Sequence, residues 1–317
     1  MLALKDIRDA HVRIRDKIHR TPVLTSATLD AQCGGSLFFK CENFQKIGAF
    51  KARGATNAIF LLSDDEARRG VVTHSSGNHA AAVARAAKLR GIPAYIVMPQ
   101  NAPKAKLDSV RRYGAKIELC EPTIAAREAG AARIISETGA QLIHPFNDYR
   151  VMAGQGTAAL ELMEDRPEID LVLCPIGGGG LISGTATAAK GLKPGVRVIG
   201  VEPAGADDAY RSFRSGTIVP MTSPRTVADG LRGMLGDKTF PEIREKVDDV
   251  VTVSEAAICT AMRAMWEVMK IVVEPSAAVA YAAVVENRLS VTGKRAGVIV
   301  TGGNLDLDAL PWFSEVL

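Results

Sequence analysis

Short apolar runs alternate with helical segments along most of the chain, and this alternation constrains the fold more than any other feature. Residues 71–72, 171–173 and 298–300 are continuously apolar, as is typical of strands that are buried on both faces of a parallel sheet. Segments with helical patterns separate these strands, which predicts helices that cover both faces. We therefore expect an α/β protein with open, twisted sheets.

The predicted strands and helices fall into two groups along the chain. The first group has strands at 70–74, 94–98, 116–120 and 141–143 and helices at 80–90, 102–113 and 124–138. The second has strands at 37–40, 171–174, 196–201, 249–253 and 296–300 and helices at 4–19, 54–62, 154–162, 182–192, 255–270 and 275–287. This grouping predicts a small domain over 71–147 and a large domain from 1–70 and 148–317. We expect ligands between the two lobes, at the carboxyl ends of the strands.

The composition argues against several classes of protein. The 39 basic and 35 acidic residues nearly balance, and no basic cluster is interleaved with aromatic residues, so nucleic acid is not an expected partner. The first residues lack the apolar core of a signal peptide, and no apolar run reaches the length of a membrane span. The five cysteines form no CxxC pair, which favours a reduced, cytoplasmic compartment.

Lys51 lies among apolar and small residues in the segment 40–54, KCENFQKIGAFKARG. A lysine with such neighbours loses hydration, and its pKa falls because the charged form is disfavoured. The neutral amine is a nucleophile that can form a Schiff base with a carbonyl group. On this segment alone, an ordinary surface lysine near the start of a helix is the commoner explanation.

Four consecutive glycines, Gly177, Gly178, Gly179 and Gly180, follow a predicted buried strand and precede a predicted helix. Backbone N–H groups at the positive end of a helix are suited to binding a phosphate group. The loop has neither a following GK[ST] sequence nor the GxGxxG spacing, so the ligand need not be a nucleotide. Because a tight turn needs only one or two glycines, four of them indicate a phosphate-binding loop.

Two polar turns follow other predicted strands. Ser75, Ser76, Asn78 and His79 lie where a strand ends and a helix begins, and their hydroxyl, amide and N–H groups could hold a carboxylate. A simple helix N-cap is an equally good explanation of this turn. Thr301 follows the strand at 296–300 in the sequence TGGN, which by itself is common turn chemistry.

An acidic group follows the strand at 196–201. Glu202, Asp207 and Asp208 offer the hard oxygen ligands that Mg²⁺ and Ca²⁺ prefer. Solvated acids in a loop are the more frequent explanation of such a group.

Together these motifs resemble those of the fold-type II pyridoxal-phosphate enzymes. Within that family they are most similar to the branch of the serine/threonine dehydratases and serine racemases. The resemblance is carried by AFKARG around Lys51, the SSGNH turn, the four-glycine loop and the TGGN turn, in the family's order. It extends from about residue 21 to residue 304. It implies two open α/β lobes of the tryptophan synthase β type, with pyridoxal 5′-phosphate bound in the large domain.

The resemblance also implies a role for each matching residue. Lys51 would bind the cofactor covalently, with Phe50 beside the ring, Thr301 facing the pyridine nitrogen and Asn78 contacting the 3′ oxygen. The residues implied in phosphate binding are Gly177, Gly178, Gly179 and Gly180. Those implied in binding the substrate carboxylate are Ser75, Ser76, Asn78 and His79. In the racemase-like members a Mg²⁺ or Ca²⁺ site matches Glu202, the carbonyl of Ala206, and Asp208.

The implied reaction removes ammonia from a β-hydroxy amino acid (L-threonine, L-serine or 3-hydroxyaspartate) and gives a 2-keto acid. Lys51 would remove the α-proton, and Ser76, on the opposite face of the ring, would allow reprotonation from the other side. Arg127 matches an arginine that faces the substrate side chain and could pair with a second carboxylate; an exposed helix charge is an equal alternative. Residues 144–148, HPFND, resemble the dehydratase version of that segment.

Two alternative functions are compatible with the same sequence. The first alternative is a serine racemase with side dehydratase activity, and the second, from another class, is a non-catalytic phospholigand-binding protein. Ala80 replaces a glycine that often follows SSGNH in this branch, so the start of that helix is expected to pack differently. The chain ends soon after Asn304, which argues against the regulatory domain of biosynthetic threonine deaminases. A homodimer is the expected assembly.

Overall fold

The computed structural model describes residues 1–75, 77–102 and 104–312, without the side chains of Ala105 and Lys106. The strands are β1 (Val23–Leu24), β2 (Ser36–Cys41), β3 (Val71–His74), β4 (Ala94–Pro99), β5 (Lys116–Cys120), β6 (Gln141–Leu142), β7 (Leu171–Pro175), β8 (Arg197–Pro203), β9 (Asp249–Val253) and β10 (Arg295–Val300). The α-helices are α1 (Leu4–Ile14), α2 (Ala27–Cys33), α3 (Lys51–Phe60), α4 (Asp64–Arg68), α5 (Asn78–Arg90), α6 (Lys104–Arg111), α7 (Ile124–Thr138), α8 (Tyr149–Asp165), α9 (Gly180–Leu192), α10 (Asp208–Ser215), α11 (Thr239–Lys246), α12 (Glu255–Glu267) and α13 (Pro275–Val285).

The strands form two sheets. The larger has six strands in the order β1-β2-β10-β7-β8-β9, and the smaller has four in the order β5-β4-β3-β6. β1 runs antiparallel to β2, and the other pairs in both sheets are parallel. The predicted fold class, two open α/β sheets, is therefore confirmed.

The two faces of the six-stranded sheet are covered by different helices. Along β7, Leu171 and Leu173 pack with residues of α12 and α13, whereas Val172 and Cys174 pack with residues of α8 and α9. Successive side chains of a strand point to opposite faces, so both faces need apolar residues. This is the physical reason for the unbroken apolar run that the sequence shows.

The small sheet takes its strands from residues 71–142, and the large sheet takes its strands from outside that range. The nine predicted strands lie within two residues of their predicted bounds. The domain boundaries at 70/71 and 147/148 stay a prediction. Within the described ranges, the helices are too short or too polar to cross a lipid bilayer.

Several local expectations were wrong. The sequence did not predict β1, α2 or α4, which are short and carry little apolar periodicity. The first helix ends at Ile14 and not at His19. Most important for the site, α3 begins at Lys51 and not at Gly54, so that Lys51 lies in the first turn of the helix.

The backbones of α3 and α8 lie in direct contact. A Cβ atom added to Gly154 would lie 2.6 Å from the Cα of Gly54 and 2.7 Å from the carbonyl oxygen of Arg53. The backbone N–H of Gly54 donates a hydrogen bond to Gln155 Oε1 at 3.1 Å. Two glycines are therefore needed where these helices cross.

We predict that Gly154→Ala destabilises the protein by about 2 kcal/mol or more, because the new methyl group meets backbone atoms that cannot yield. Gly195→Ala is the control, since Gly195 is exposed and a Cβ atom there would meet nothing within 4 Å. Its effect should stay within about 0.5 kcal/mol. Urea unfolding followed by circular dichroism measures both values. Equal stabilities would show that the α3–α8 contact is loose.

Candidate active site

The predicted site residues meet around one cavity of about 530 Å³. Its lining includes the residues singled out from the sequence that the structure describes, apart from the acidic group: Phe50, Lys51, Ser75, Asn78, His79, Arg127, Gly177, Gly178, Gly179, Gly180 and Thr301. Ser76 lies outside the described residues. β7 and β10 end at the same edge of the large sheet, as parallel strands do, and the carboxyl end of β3 in the small sheet leads to the same cavity.

Lys51 projects from the first turn of α3 into the cavity. Its Nζ donates a hydrogen bond to the carbonyl oxygen of Pro145 at 2.7 Å and lies 5.0 Å from the ring centre of Phe50. Burial lowers the pKa of Lys51 to about 8, although the charge of Glu274 acts in the opposite direction. An ordinary surface lysine is therefore the wrong explanation for this residue.

The four glycines connect β7 to α9 with almost no room for side chains. A Cβ atom on Gly178 would lie 2.3 Å from the ring of Phe146, and Gly179 has a φ of +86°, a conformation that favours glycine. Gly179 is also the N-cap of α9 and offers no side chain to the first N–H groups of that helix. The arrangement suits an anion that caps α9 from the cavity.

Asn78 and the TGGN turn are joined by a carboxylate that the sequence analysis missed. Asn78 Nδ2 donates to both oxygens of Glu274, at 3.0 and 3.2 Å, and the backbone N–H of Asn304 donates to Glu274 Oε2 at 3.2 Å. Asn304 Nδ2 also donates to Asn78 Oδ1 at 2.9 Å. Glu274 is the N-cap of α13 and is followed by proline at N1. In the sequence this pair indicates only the start of a helix, so it does not predict that the Glu274 carboxylate lines the cavity.

Thr301 presents a hydroxyl group without a protein partner. It follows β10 directly, and its Oγ1 is buried with no hydrogen-bond partner in the described part of the chain. A buried hydroxyl that makes no hydrogen bond is unfavourable by about 1–3 kcal/mol. A ligand atom that accepts or donates a hydrogen bond at this position would remove that cost.

His79 lines the cavity with a neutral ring that is already engaged. Its Nε2 lies 2.9 Å from the carbonyl oxygen of Ile143, and burial holds its pKa well below the usual value. A neutral ring that donates from Nε2 leaves Nδ1 as an acceptor only, so this side chain has no proton to give to a carboxylate. Ser75, whose Oγ accepts from the backbone N–H of Gly77 at 3.3 Å, and the N-terminus of α5 remain for that role.

His144 organises the turn that holds Lys51 and was not singled out from the sequence. Its Nδ1 accepts the backbone N–H groups of Asn147 at 2.9 Å and Phe146 at 3.3 Å. Burial, and to a smaller extent the charge of the nearby His74, lowers the pKa of His144 to about 4. The turn therefore presents the Pro145 carbonyl to Lys51 and the Phe146 ring to Gly178 at neutral pH.

Arg127 lies in the first turn of α7, at the cavity. Its Nε is 3.4 Å from the carbonyl oxygen of Thr123 in the same segment. The guanidinium group retains further donors for a ligand. Its position favours a role in the cavity over that of a simple exposed charge.

The acidic group lies apart from the cavity and is mostly buried. Glu202 Oε2 accepts the backbone N–H of Tyr210 at 2.8 Å, and Asp208 Oδ2 accepts that of Leu235 at 3.2 Å, while Asp208 Oδ1 has no partner in the described residues. Burial raises the pKa of Glu202 well above its usual value and that of Asp208 to about 6. Solvated acids in a loop are therefore the wrong explanation for Glu202 and Asp208. Asp207, which pairs with Arg211 at 2.8 Å, fits that explanation.

A family model described as pyridoxal-phosphate dependent enzyme matches residues 14–302. The chain belongs to this enzyme family. The enzyme is 53% identical to a serine racemase of Oryza sativa over 312 residues, which cover 97% of this chain and 92% of the relative. It is also 53% identical to a beta-hydroxyaspartate dehydratase of Paracoccus denitrificans over 308 residues, with coverage of 97% and 98%. The solved structure of maize serine racemase matches with a TM-score of 0.95 at 51% identity, covering 97% of this chain and 95% of that one.

The described residues fit the cofactor that the family implies. The glycine loop lines the cavity at the N-terminus of α9, whose first N–H groups no N-cap side chain accepts, and Thr301 Oγ1 offers a hydrogen bond that no described group uses. Lys51 offers an amine of lowered pKa in the same cavity. The three features match the anionic end, the ring nitrogen and the aldehyde of pyridoxal phosphate.

We predict that the cofactor-free enzyme recombines with pyridoxal phosphate at a rate that rises with pH and levels off above pH 8. Only the neutral amine attacks an aldehyde, and a pKa of about 8 makes about one tenth of Lys51 neutral at pH 7, against about 0.03% for an ordinary lysine. Stopped-flow absorbance measures the rate. A tenfold rise per pH unit that continued beyond pH 9.5 would show that Lys51 has an ordinary pKa.

Proposed function

We propose that the enzyme is an ammonia-lyase that dehydrates a β-hydroxy amino acid to a 2-keto acid and ammonia. The observation that carries the proposal is the buried Lys51 amine, with its pKa near 8, in one cavity with the glycine loop and the unpartnered hydroxyl of Thr301. The beta-hydroxyaspartate dehydratase of Paracoccus denitrificans, 53% identical over nearly the whole chain, supports the reaction class.

Each of the proposed site residues would contact a different part of the cofactor. Lys51 would bind it covalently, Phe50 would lie beside its ring, Asn78 would contact its 3′ oxygen and Thr301 would face its ring nitrogen. The residues that would hold the phosphate are Gly177, Gly178, Gly179 and Gly180. When bound, pyridoxal phosphate supplies an electron sink for the negative charge left by removal of the α-proton. A hydroxyl partner such as Thr301 does not protonate the ring nitrogen as a carboxylic acid would, which favours early loss of the β-hydroxyl group.

Lys51 would be the base that removes the α-proton of the substrate. Its amine, with a pKa lowered by burial, is neutral often enough near pH 8 to accept the α-proton. Ser75, Asn78 and the N-terminus of α5 would hold the substrate carboxylate in the cavity that Lys51 also lines. The sequence-based roles of Ser76 and His79 stay proposals, and for His79 we assign the backbone and not the ring.

Serine racemase activity is the second candidate, and the rice relative of that name favours it. Racemisation needs a second acid/base group on the opposite side of the substrate, for which we propose Ser76. Because both reactions begin with removal of the same proton, one site can catalyse both. The HPFND segment, whose turn is held by His144, favours elimination as the main outcome.

Arg127 suggests which β-hydroxy amino acid is preferred. It is a cationic side chain at the cavity, and a guanidinium group binds a carboxylate with paired hydrogen bonds. We propose that it receives the second carboxylate of 3-hydroxyaspartate. L-Serine and L-threonine carry no such group and would gain nothing from Arg127.

We predict that Arg127→Met lowers kcat/KM for threo-3-hydroxyaspartate by about 10- to 100-fold, the loss expected for a hydrogen bond between charged groups. The value for L-serine should change by less than about threefold. The matched control is Arg133→Met on the same helix, because Arg133 pairs with Glu118 and Glu137 at the surface. Keto acid and ammonia are measured for L-serine, L-threonine, D-serine and threo-3-hydroxyaspartate.

The same product assay decides between the candidate functions. Lys51→Ala should abolish turnover and leave the fold intact. Predominant formation of D-serine from L-serine would reverse the order of the two enzymatic candidates. A purified protein without the absorption band of lysine-bound cofactor, and without a spectral change on adding any substrate, would indicate the non-catalytic alternative.

We also propose that Glu202, Asp208 and the carbonyl of Ala206 bind Mg²⁺ or Ca²⁺. Burial raises the pKa of both carboxyl groups, the charge of Asp208 raises that of Glu202 further, and Asp208 Oδ1 has no partner among the described residues. A divalent cation would compensate both the buried charge and the unpartnered oxygen. The described residues contain no group of three or more His, Cys, Asp or Glu side chains that could hold a metal. The proposed site does not need one, because its third ligand is a backbone oxygen.

We predict that Mg²⁺ or Ca²⁺ stabilises the folded protein by about 2.7 kcal/mol at a concentration of a hundred times its Kd, seen as a rise in Tm that EDTA reverses. The affinity should fall as the pH is lowered through 6, because the protonated Asp208 is not a ligand. Asp208→Asn should lose the response, and Asp207→Asn is the control, since Asp207 pairs with Arg211. A Tm and activity indifferent to EDTA would refute the site.

We further propose that the enzyme is a cytoplasmic homodimer that acts on a small amino-acid substrate. All five cysteines are free thiols, which is typical of a reducing compartment. The near balance of 39 basic and 35 acidic residues supports neither nucleic acid nor a membrane as partner.

A further inference from the structure

Four charged side chains lie in the protein interior behind the active-site lysine. Lys40, Glu42, Arg53 and Glu161, here called the buried ion cluster, each have at most 1% of their side chain exposed. They come from β2, the turn that follows it, α3 and α8. The two positive and two negative charges balance. None of these residues lines the cavity, and the proposed reaction does not use them.

Arg53 is the centre of the buried ion cluster. On one side its Nε and Nη2 donate to the two oxygens of Glu42, at 2.7 and 2.8 Å. On the other side its Nη1 and Nη2 donate to the two oxygens of Glu161, both at 2.8 Å, and Nη1 reaches Thr157 Oγ1 at 3.1 Å. Lys40 Nζ donates to Glu161 Oε2 at 2.7 Å. This double bidentate pairing requires the planar fork of arginine.

The same helix presents Arg53 and Lys51 to different surroundings. Two residues along an α-helix correspond to a rotation of roughly 200°, so the two side chains leave α3 on nearly opposite sides. Arg53 points to Glu42 and Glu161, and Lys51 points to the cavity and the Pro145 carbonyl. A rotation or slide of α3 that moved Lys51 would therefore break bonds between buried charges.

Breaking such bonds is costly, because an unpaired charge would be left in the interior. Buried ion pairs contribute little net stability compared with well-packed apolar side chains, so stability alone does not account for four such residues here. Their geometry, by contrast, depends strictly on the relative placement of β2, α3 and α8. The close approach of Gly54 and Gly154 restricts the distance between α3 and α8 but does not by itself fix the rotation of α3.

We propose that the buried ion cluster fixes the rotation of α3 and thereby positions the Lys51 amine in the cavity. Arg53 is a positioning residue in this proposal, since it touches neither cofactor nor substrate. The role of Lys51 in turnover rests on the proposed function, whereas its position and pKa do not. The groups that face Lys51 are Glu274 and the neutral rings of His79 and His144, and none of them belongs to the cluster.

The test is Arg53→Lys, which keeps the charge and loses the double bidentate pairing. We expect the pH profile of cofactor recombination, measured on the cofactor-free protein, to break at least one pH unit higher than in the wild type, because Lys51 regains water. With the cofactor bound, kcat should fall 10- to 100-fold, the effect expected for a displacement of about 1 Å. KM should change less than threefold.

Met262→Ala is the matched control for lost stability. Met262 is buried in α12 and lies outside the cavity lining, so its truncation lowers Tm through a cavity in the core. We expect the wild-type recombination profile and a kcat within twofold of wild type. If this variant reproduced the changes of Arg53→Lys, the cluster would be a general stabilising element and the proposal would be wrong.

A milder variant covers the case in which Arg53→Lys does not fold. Thr157→Val removes the hydrogen bond from Arg53 to Thr157 Oγ1, together with that from Thr157 Oγ1 to the Gly154 carbonyl oxygen, and keeps the four charges. We expect a smaller shift of the profile in the same direction. A wild-type profile in folded Arg53→Lys, or in Thr157→Val if the first variant is lost, overturns the proposal. A shifted profile without turnover of any substrate would support the positioning role and refute the proposed reaction.

Discussion

The active site depends on a half-buried lysine whose ammonium group has lost part of its hydration. The pKa of Lys51 falls from 10.5 to about 8, which corresponds to about 3 kcal/mol that the remainder of the fold must supply. Glu274 opposes the shift, so burial alone produces it. A helix that was free to move would let the lysine return to solvent. The tight packing of α3 against α8 is therefore part of the chemistry of the amine as well as of the fold.

The parallel topology gathers the groups that surround this amine. β3 of the small sheet leads to Ser75, and β7 and β10 of the large sheet lead to Gly177 and Thr301. Strands that run in the same direction end at the same edge of a sheet, so motifs far apart in the sequence become neighbours. An antiparallel sheet of the same strands would send every second motif to the opposite edge.

The parts of the site that could be predicted from the sequence are those formed by short, contiguous motifs. The four glycines, the SSGNH turn and the lysine among small residues each have a backbone reason to be recognisable, and the strands have unbroken apolar runs. Glu274 and His144 carry no such pattern, because their roles come from partners that lie far away along the chain. The burial of Glu202 and Asp208 was missed for the same reason: spacing does not reveal what covers a loop. The start of α3 was misplaced because glycine at position 54 reads as a helix boundary, whereas here it permits the contact with α8.

The acidic pair connects the stability of the large sheet to the shape of the cavity. Asp208 accepts the backbone N–H of Leu235, and Leu235 lines the cavity beside Gly179. Burial raises the pKa of Asp208 to about 6, so without a counter-ion this carboxyl group takes up a proton as the pH falls through 6. A divalent cation in the proposed site would keep Asp208 charged below pH 6 as well, and a charged carboxylate accepts the Leu235 N–H more strongly. In the proposed site the cation would be a structural element of the cavity wall, and its effect on turnover would follow from the position of that wall and not from contact with the substrate.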